Sequence, residues 1–138
     1  MTLEAWVRPT SVDGWRTVVL KETDGGLSYS MYANDADANK PAGYVRIGSN
    51  EEKIRAKKRL SNNAWAHIAV TYDGTTLRFF LNGEEVETRT EAGAIKASNG
   101  KLRIGGNQVW GEWFRGQMDD VRIYNVAVGA AQIKADMK

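Results

Sequence analysis

Two dipeptides constrain this chain more than any other feature. Asp73-Gly74 and Asn82-Gly83 interrupt a run of β-formers. Trp65-Ala66-His67-Ile68-Ala69-Val70-Thr71-Tyr72 precedes the first, Leu77-Arg78-Phe79-Phe80-Leu81 lies between them, and Glu84 to Arg89 follows the second. A type I′ hairpin turn holds both central residues at φ > 0, which Asn, Asp and Gly tolerate best. Two such turns between β-rich runs predict a three-stranded antiparallel meander. Side chains alternate across a strand, so Ile68, Val70 and Tyr72 share one face, as do Leu77, Phe79 and Leu81. These two rows are expected to form the centre of the core. The same reasoning makes Gly83 more demanding than Gly100, which lies in a small-residue loop.

The remaining chain repeats the pattern. Leu3-Glu4-Ala5-Trp6-Val7-Arg8 alternates, and Pro9 ends the run by removing a ladder donor. Further strands are expected over Trp15 to Glu22, Leu27 to Ala33 (Leu27, Tyr29 and Met31 in phase), Tyr44 to Gly48 and Lys53 to Leu60. Lys101 to Ile104 and Phe114 to Tyr124 complete the set. The last run changes phase midway, which a bulge near Asp119-Asp120 would reconcile. Val128 to Lys138 reads as the single short helix, with Ile133 and Met137 four apart. About ten short strands separated by turns indicate an all-β, antiparallel two-sheet sandwich with one C-terminal helix. The 138 residues suit one domain over 1–138 with a substantial core.

Composition narrows the function. A formal charge of +2 gives no reason to expect nucleic acid, and no run is apolar enough to suggest a membrane span. The chain has no cysteine, which removes disulfides, thiolate chemistry and cysteine-based zinc sites. Met1 opens directly on a strand pattern, so no signal peptide is expected within the segment.

Five motifs occur in order: Thr2-Leu3-Glu4-Ala5-Trp6-Val7, Trp65 to Gly74, Leu81-Asn82-Gly83, Leu102-Arg103-Ile104-Gly105, and Phe114-Arg115-Gly116-Gln117-Met118-Asp119-Asp120-Val121-Arg122-Ile123-Tyr124. Together they resemble the laminin G-like, concanavalin A-like lectin/glucanase jelly-roll family in its bacterial form. The resemblance implies two antiparallel sheets face to face, one of them curved. It also implies a non-catalytic module, extracellular or on the cell surface, that binds glycans or, as an adhesion module, protein partners. No cofactor is required, although an aspartate at the place of Asp119 and Asp120 can help hold a structural calcium in the family. Domains of this type usually carry a strand before the Thr2 segment. Its absence would leave a sheet edge bare, to be filled by a second copy or by another segment of a parent protein, or else covered by the C-terminal helix.

Several residues are candidates for chemistry. Trp15, Trp110 and Trp113 fall at loop–strand junctions, where aromatic faces can stack on sugar rings, while Asn107 and Gln108 supply hydrogen bonds. The alternative is that these tryptophans cap the ends of the sandwich. Trp6 and Trp65 lie in strands and are expected in the core. Glu22-Thr23-Asp24 begins a glucanase-like carboxylate pattern, but the third position falls on Leu27 or Gly26, so no enzyme is expected. His67, the only histidine, is expected to be a packed, hydrogen-bonded sheet residue. Asp35-Ala36-Asp37-Ala38-Asn39 has calcium-loop spacing but lacks the Gly and Glu such a loop needs. Lys53, Arg55, Lys57, Lys58 and Arg59 read as a protected edge or, alternatively, as a contact for acidic polysaccharide.

Overall fold

The computed structural model describes residues 1–138. Two five-stranded antiparallel sheets face each other. The first contains β1 (Thr2–Pro9), β6 (Ala66–Tyr72), β7 (Thr76–Leu81), β8 (Glu84–Thr90) and β12 (Gly116–Tyr124), in the order β12-β1-β6-β7-β8. The second contains β2 (Arg16–Thr23), β3 (Gly26–Asp35), β4 (Lys40–Ile47), β5 (Asn50–Arg55) and β9 (Leu102–Ile104), in the order β5-β4-β3-β2-β9. A two-stranded flap, β10 (Gly106–Asn107) and β11 (Glu112–Trp113), forms a third, small sheet. Helix α1 (Ala130–Asp136) follows β12. The antiparallel two-sheet sandwich expected from the turn pattern, and the jelly roll that the resemblance implies, are the observed architecture.

Alternation explains the core. Ile68, Val70 and Tyr72 of β6 and Leu77 and Phe79 of β7 turn inward beside Leu3, Ala5 and Val7 of β1. They meet Val19, Met31, Ala33, Val45 and Ile54 from the second sheet. Complete burial of a side chain such as Phe79 contributes about 1.5–3 kcal/mol. Gly43 lets the sheets approach: a Cβ there would stand 2.6 Å from Val70 Cγ2 of the opposite sheet.

The meander differs from expectation at one turn. Asn82 and Gly83 adopt φ of 51° and 79°, as a two-residue primed turn requires. At the other turn only Gly74 has positive φ, and Tyr72 pairs with Leu77 across a longer loop. There the Asp73 carboxylate accepts the N–H groups of Thr75 and Thr76, so a side chain closes the turn instead of a tight backbone bend.

Three further expectations shift. Leu27 leaves the inward phase of Tyr29 and Met31, because the β2–β3 register slips between Lys21 and Glu22 and carries Leu27 to the outer face. β5 runs over Asn50–Arg55, ahead of the expected Lys53–Leu60, and pairs its polar residues with β4. Ala56 and Leu60 still plug the core from the irregular segment that follows. The phase change in the last strand is a bulge, opposite Glu4 and Trp6 of β1, with Asp120 at φ 49°. β12 and β9 are edge strands. Helix α1 does not cover either edge; Ile133 packs onto Ala69 and Phe80, on the outer face of the first sheet.

Candidate functional site

The outer face of the second sheet carries a cavity of about 400 Å³. Its apolar lining is Trp15, Leu27, Tyr32, Tyr44 and Trp110, and its polar lining is Asp37, Glu51, Lys53 and Glu112. The register builds it. Ser30 pairs with Tyr44, and Tyr44 with Lys53, so β3, β4 and β5 present adjacent side chains on one face. Tyr32 and Tyr44 pack edge to face with ring centroids 5.7 Å apart, and Trp15 packs edge-on to Tyr32 at 5.2 Å. This array is an aromatic floor with one wall built from the flap.

The flap is tied down by hydrogen bonds. Glu22 Oε1 accepts the Gln108 N–H at 3.0 Å and Arg103 Nε at 2.8 Å. Fully buried Asn107 donates from Nδ2 to Thr17 Oγ1 at 2.9 Å and to Glu112 Oε2 at 2.8 Å. Its Oδ1 accepts the Trp110 N–H at 2.9 Å, which sets the indole at the flap tip. The Tyr32 hydroxyl donates to the same Glu112 oxygen at 2.9 Å. Burial raises the Tyr32 phenol pKa, and the Glu112 carboxylate adds to the shift. Burial pushes Glu22 up, but the Gln108 N–H and Arg103 outweigh it and hold the group below its ordinary value.

Beneath the other wall, Asp35 closes the β3–β4 turn. It accepts Arg55 Nε at 2.7 Å, the Asp37 N–H at 2.8 Å and the Tyr44 hydroxyl. Burial alone would raise Asp35; these donors hold it below the usual carboxylate range. The calcium-like spacing of this loop therefore serves a turn and an ion pair. Arg55 and Arg59 of the basic cluster bond Asp35 and Asp13, and Lys53 reaches the cavity.

Of the residues singled out in the sequence, Trp15 and Trp110 line the cavity. Trp113 does not: it lies over Gly106 and is 51% exposed. Asn107 supports Glu112 and Trp110 from below, and Gln108 is spent on Glu22 and Arg103. Sequence reasoning missed Tyr32, Tyr44 and Glu112; Lys53 it named only as part of the basic cluster. The alternation of β3 and β4 could have shown Tyr32 and Tyr44 on opposite faces from Tyr29 and Val45, but not which face the flap covers.

The outer face of the first sheet holds the other candidates. Trp6, Trp65, Asp119 and Asp120 line a shallow depression; Trp65 is 46% exposed and Trp6 half-buried, so neither is a core residue as expected. The donor set there does not fit a calcium ion, which takes about six to eight oxygens. Asp119 Oδ1 accepts the Asp120 N–H, Asp120 Oδ1 pairs with Arg122 at 3.3 Å, and no cluster of three metal-binding side chains forms. Beside them His67 is wholly buried against Trp6, yet neither ring nitrogen has a hydrogen-bond partner. The hydrogen bonds expected of it are made by its backbone, whose N–H donates to Asn82 Oδ1 at 2.9 Å, while Glu4 Oε2 stands 3.8 Å from Nε2. Burial and the neighbouring Asp136 carboxylate raise Glu4 to about 7, whereas burial and Arg122 lower His67.

Residues 1–134 match the family model for laminin G domains of the concanavalin A-like lectin/glucanases superfamily. The chain is 27% identical to part of adhesion G-protein coupled receptor V1 of Danio rerio, over 96% of this chain but 2% of the receptor. A candidate carbohydrate-binding protein of Bacteroides ovatus superposes with a TM-score of 0.77 at 26% identity, covering 96% of this chain and 39% of that one. Domain 4 of an extracellular arabinanase from Geobacillus stearothermophilus, solved with arabinotriose, superposes with a TM-score of 0.83 at 21% identity, covering 99% and 66%. The chain thus corresponds to a small part of the receptor and to less than two thirds of either solved chain.

Proposed function

The chain belongs to the concanavalin A-like lectin/glucanase superfamily, and from that premise we propose that it is a non-catalytic carbohydrate-binding module of a larger extracellular protein. The aromatic cavity on the second sheet carries the reading. Trp15, Tyr32, Tyr44 and Trp110 offer ring faces and edges for a sugar's C–H surface, and Glu112 and Lys53 offer an acceptor and a donor for hydroxyls. Glycan-array binding tests it: Trp110→Ala should abolish the signal with the unfolding midpoint retained, because the indole is half exposed at the flap tip. Binding that ignores Trp110 would remove the cavity from consideration. The non-catalytic part is supported by Glu22, which is engaged by Arg103 and the Gln108 N–H instead of being paired with a second free carboxylate. A reducing-sugar assay on polymeric glucans and arabinans should stay at background.

A second reading, adhesion through a protein partner, has its own observation. Leu102 and Ile104 on edge strand β9 are 46% and 57% exposed, and edge strand β12 presents Ile123. An unpaired edge with apolar residues accepts an added strand, from a second copy or from elsewhere in a parent chain. Light scattering over a concentration series checks it, with Ile104→Lys as the variant that should restore a constant monomer mass.

A further inference from the structure

We infer that the cavity on the second sheet selects uncharged sugars over carboxylated ones. This rests on the glycan-binding reading and narrows it to a ligand class. The charges around the cavity are unevenly neutralised. Glu51 lies 2.6 Å from Arg46, and Asp37 lies 3.5 Å from Arg55. Glu112 has no cationic partner: both donors to its Oε2, the Tyr32 hydroxyl and Asn107 Nδ2, are neutral. No neighbouring cation offsets its carboxylate at the wall, and Oε1 is left to accept a ligand hydroxyl. Asn107 is itself fully buried and clamped to Thr17, so the carboxylate is held in place before any ligand arrives. A carboxylate is an acceptor only. A sugar hydroxyl can donate to it; a sugar carboxylate cannot, and brings like charge against it in a partly desolvated site. Lys53 is the one cationic liner, and the cations do not cover the carboxylates: Arg55 is shared between Asp37 and buried Asp35, so Asp35, Asp37, Glu51 and Glu112 stand against Arg46, Arg55 and Lys53, four against three. Lys53 can donate to ring and hydroxyl oxygens, but it does not reverse the balance.

The test compares matched pairs on the intact protein. Neutral oligosaccharides (arabinotriose, cellotetraose, lactose, galactan fragments) are titrated calorimetrically at low salt beside acidic counterparts (3′-sialyllactose, oligogalacturonate). The expected result is binding of at least one neutral ligand, lost in Trp110→Ala, and binding at least about tenfold weaker for its acidic counterpart. Glu112→Gln should weaken the neutral ligand and narrow the gap to the acidic one. The comparison on the unaltered chain stands even if that variant fails to fold. An acidic sugar that binds as well as its neutral counterpart, with the same dependence on Trp110, overturns the selectivity and leaves glycan binding intact. Absence of binding to every glycan in both sets overturns the glycan-binding reading itself.

Discussion

At the residue scale, burial decides which substitutions matter. Phe79 is fully buried among residues of both sheets, so Phe79→Ala should cost about 3–5 kcal/mol in chemical unfolding. A loss under about 1 kcal/mol would mean that the site collapses around the missing ring. Glycines follow backbone and neighbours together. Gly83 has φ 79°, and a Cβ there would stand 2.9 Å from Lys134 and Met137 side-chain atoms. A Cβ on Gly100 would lie 2.1 Å from the Glu22 carbonyl oxygen, a backbone atom that cannot swing away. The expectation that Gly83 is the more demanding position therefore does not hold; Gly100→Val should lower the melting temperature at least as far as Gly83→Val.

The buried pair Glu4 and His67 makes stability depend on pH. Glu4 ionises near 7 when folded and near 4.5 when unfolded, so its contribution is fully present below 4.5 and is lost as pH rises through 7. His67 has the opposite sign: its folded value lies below 6.5, and its contribution is lost as pH falls beneath that. The two trends oppose each other in the parent protein. Glu4→Gln removes one of them, so the stability of the variant relative to the parent should rise steadily between about pH 5 and about pH 8. A constant difference across that range would place the Glu4 carboxyl in water.

At the element scale, the meander and the flap are opposites. β6 is buried along its whole length and paired on both sides, by β1 and β7. The β10–β11 flap is two residues per strand and is held largely by side chains, those of Glu22, Asn107 and Glu112. Amide hydrogen exchange should therefore be slowest over Ile68–Leu81 and fast over Gly106–Trp113. Glu22→Gln weakens the tie to Arg103, and should speed exchange in the flap and weaken sugar binding with little change in global unfolding. Equal exchange rates in flap and meander would mean that the flap is part of the cooperative core.

At the scale of the whole molecule, the two outer faces are separated by the thickness of the core. Trp110 belongs to one, Trp65 and Asp119 to the other. Substitutions that share no partners act independently. Trp65→Ala and Asp119→Asn should leave oligosaccharide affinity unchanged, while Trp110→Ala abolishes it. Loss of sugar binding in either first-sheet variant would show that the faces are coupled through the sandwich.

Strand periodicity and turn chemistry are local properties, so the sequence alone determined the meander, the inward rows of β6 and β7, the Asn82-Gly83 turn and the bulge at Asp120. The five ordered motifs determined the family. Tertiary structure alone decided the site. Whether Tyr32 and Tyr44 face solvent, core or flap depends on which sheet face the β9–β11 segment crosses, a contact between residues far apart in the chain. The pairing of Glu112 with Tyr32 and Asn107 depends on the same crossing. Trp65 read as a core strand residue from its neighbours, yet it is 46% exposed, because burial follows what lies across a face and not what lies along a strand.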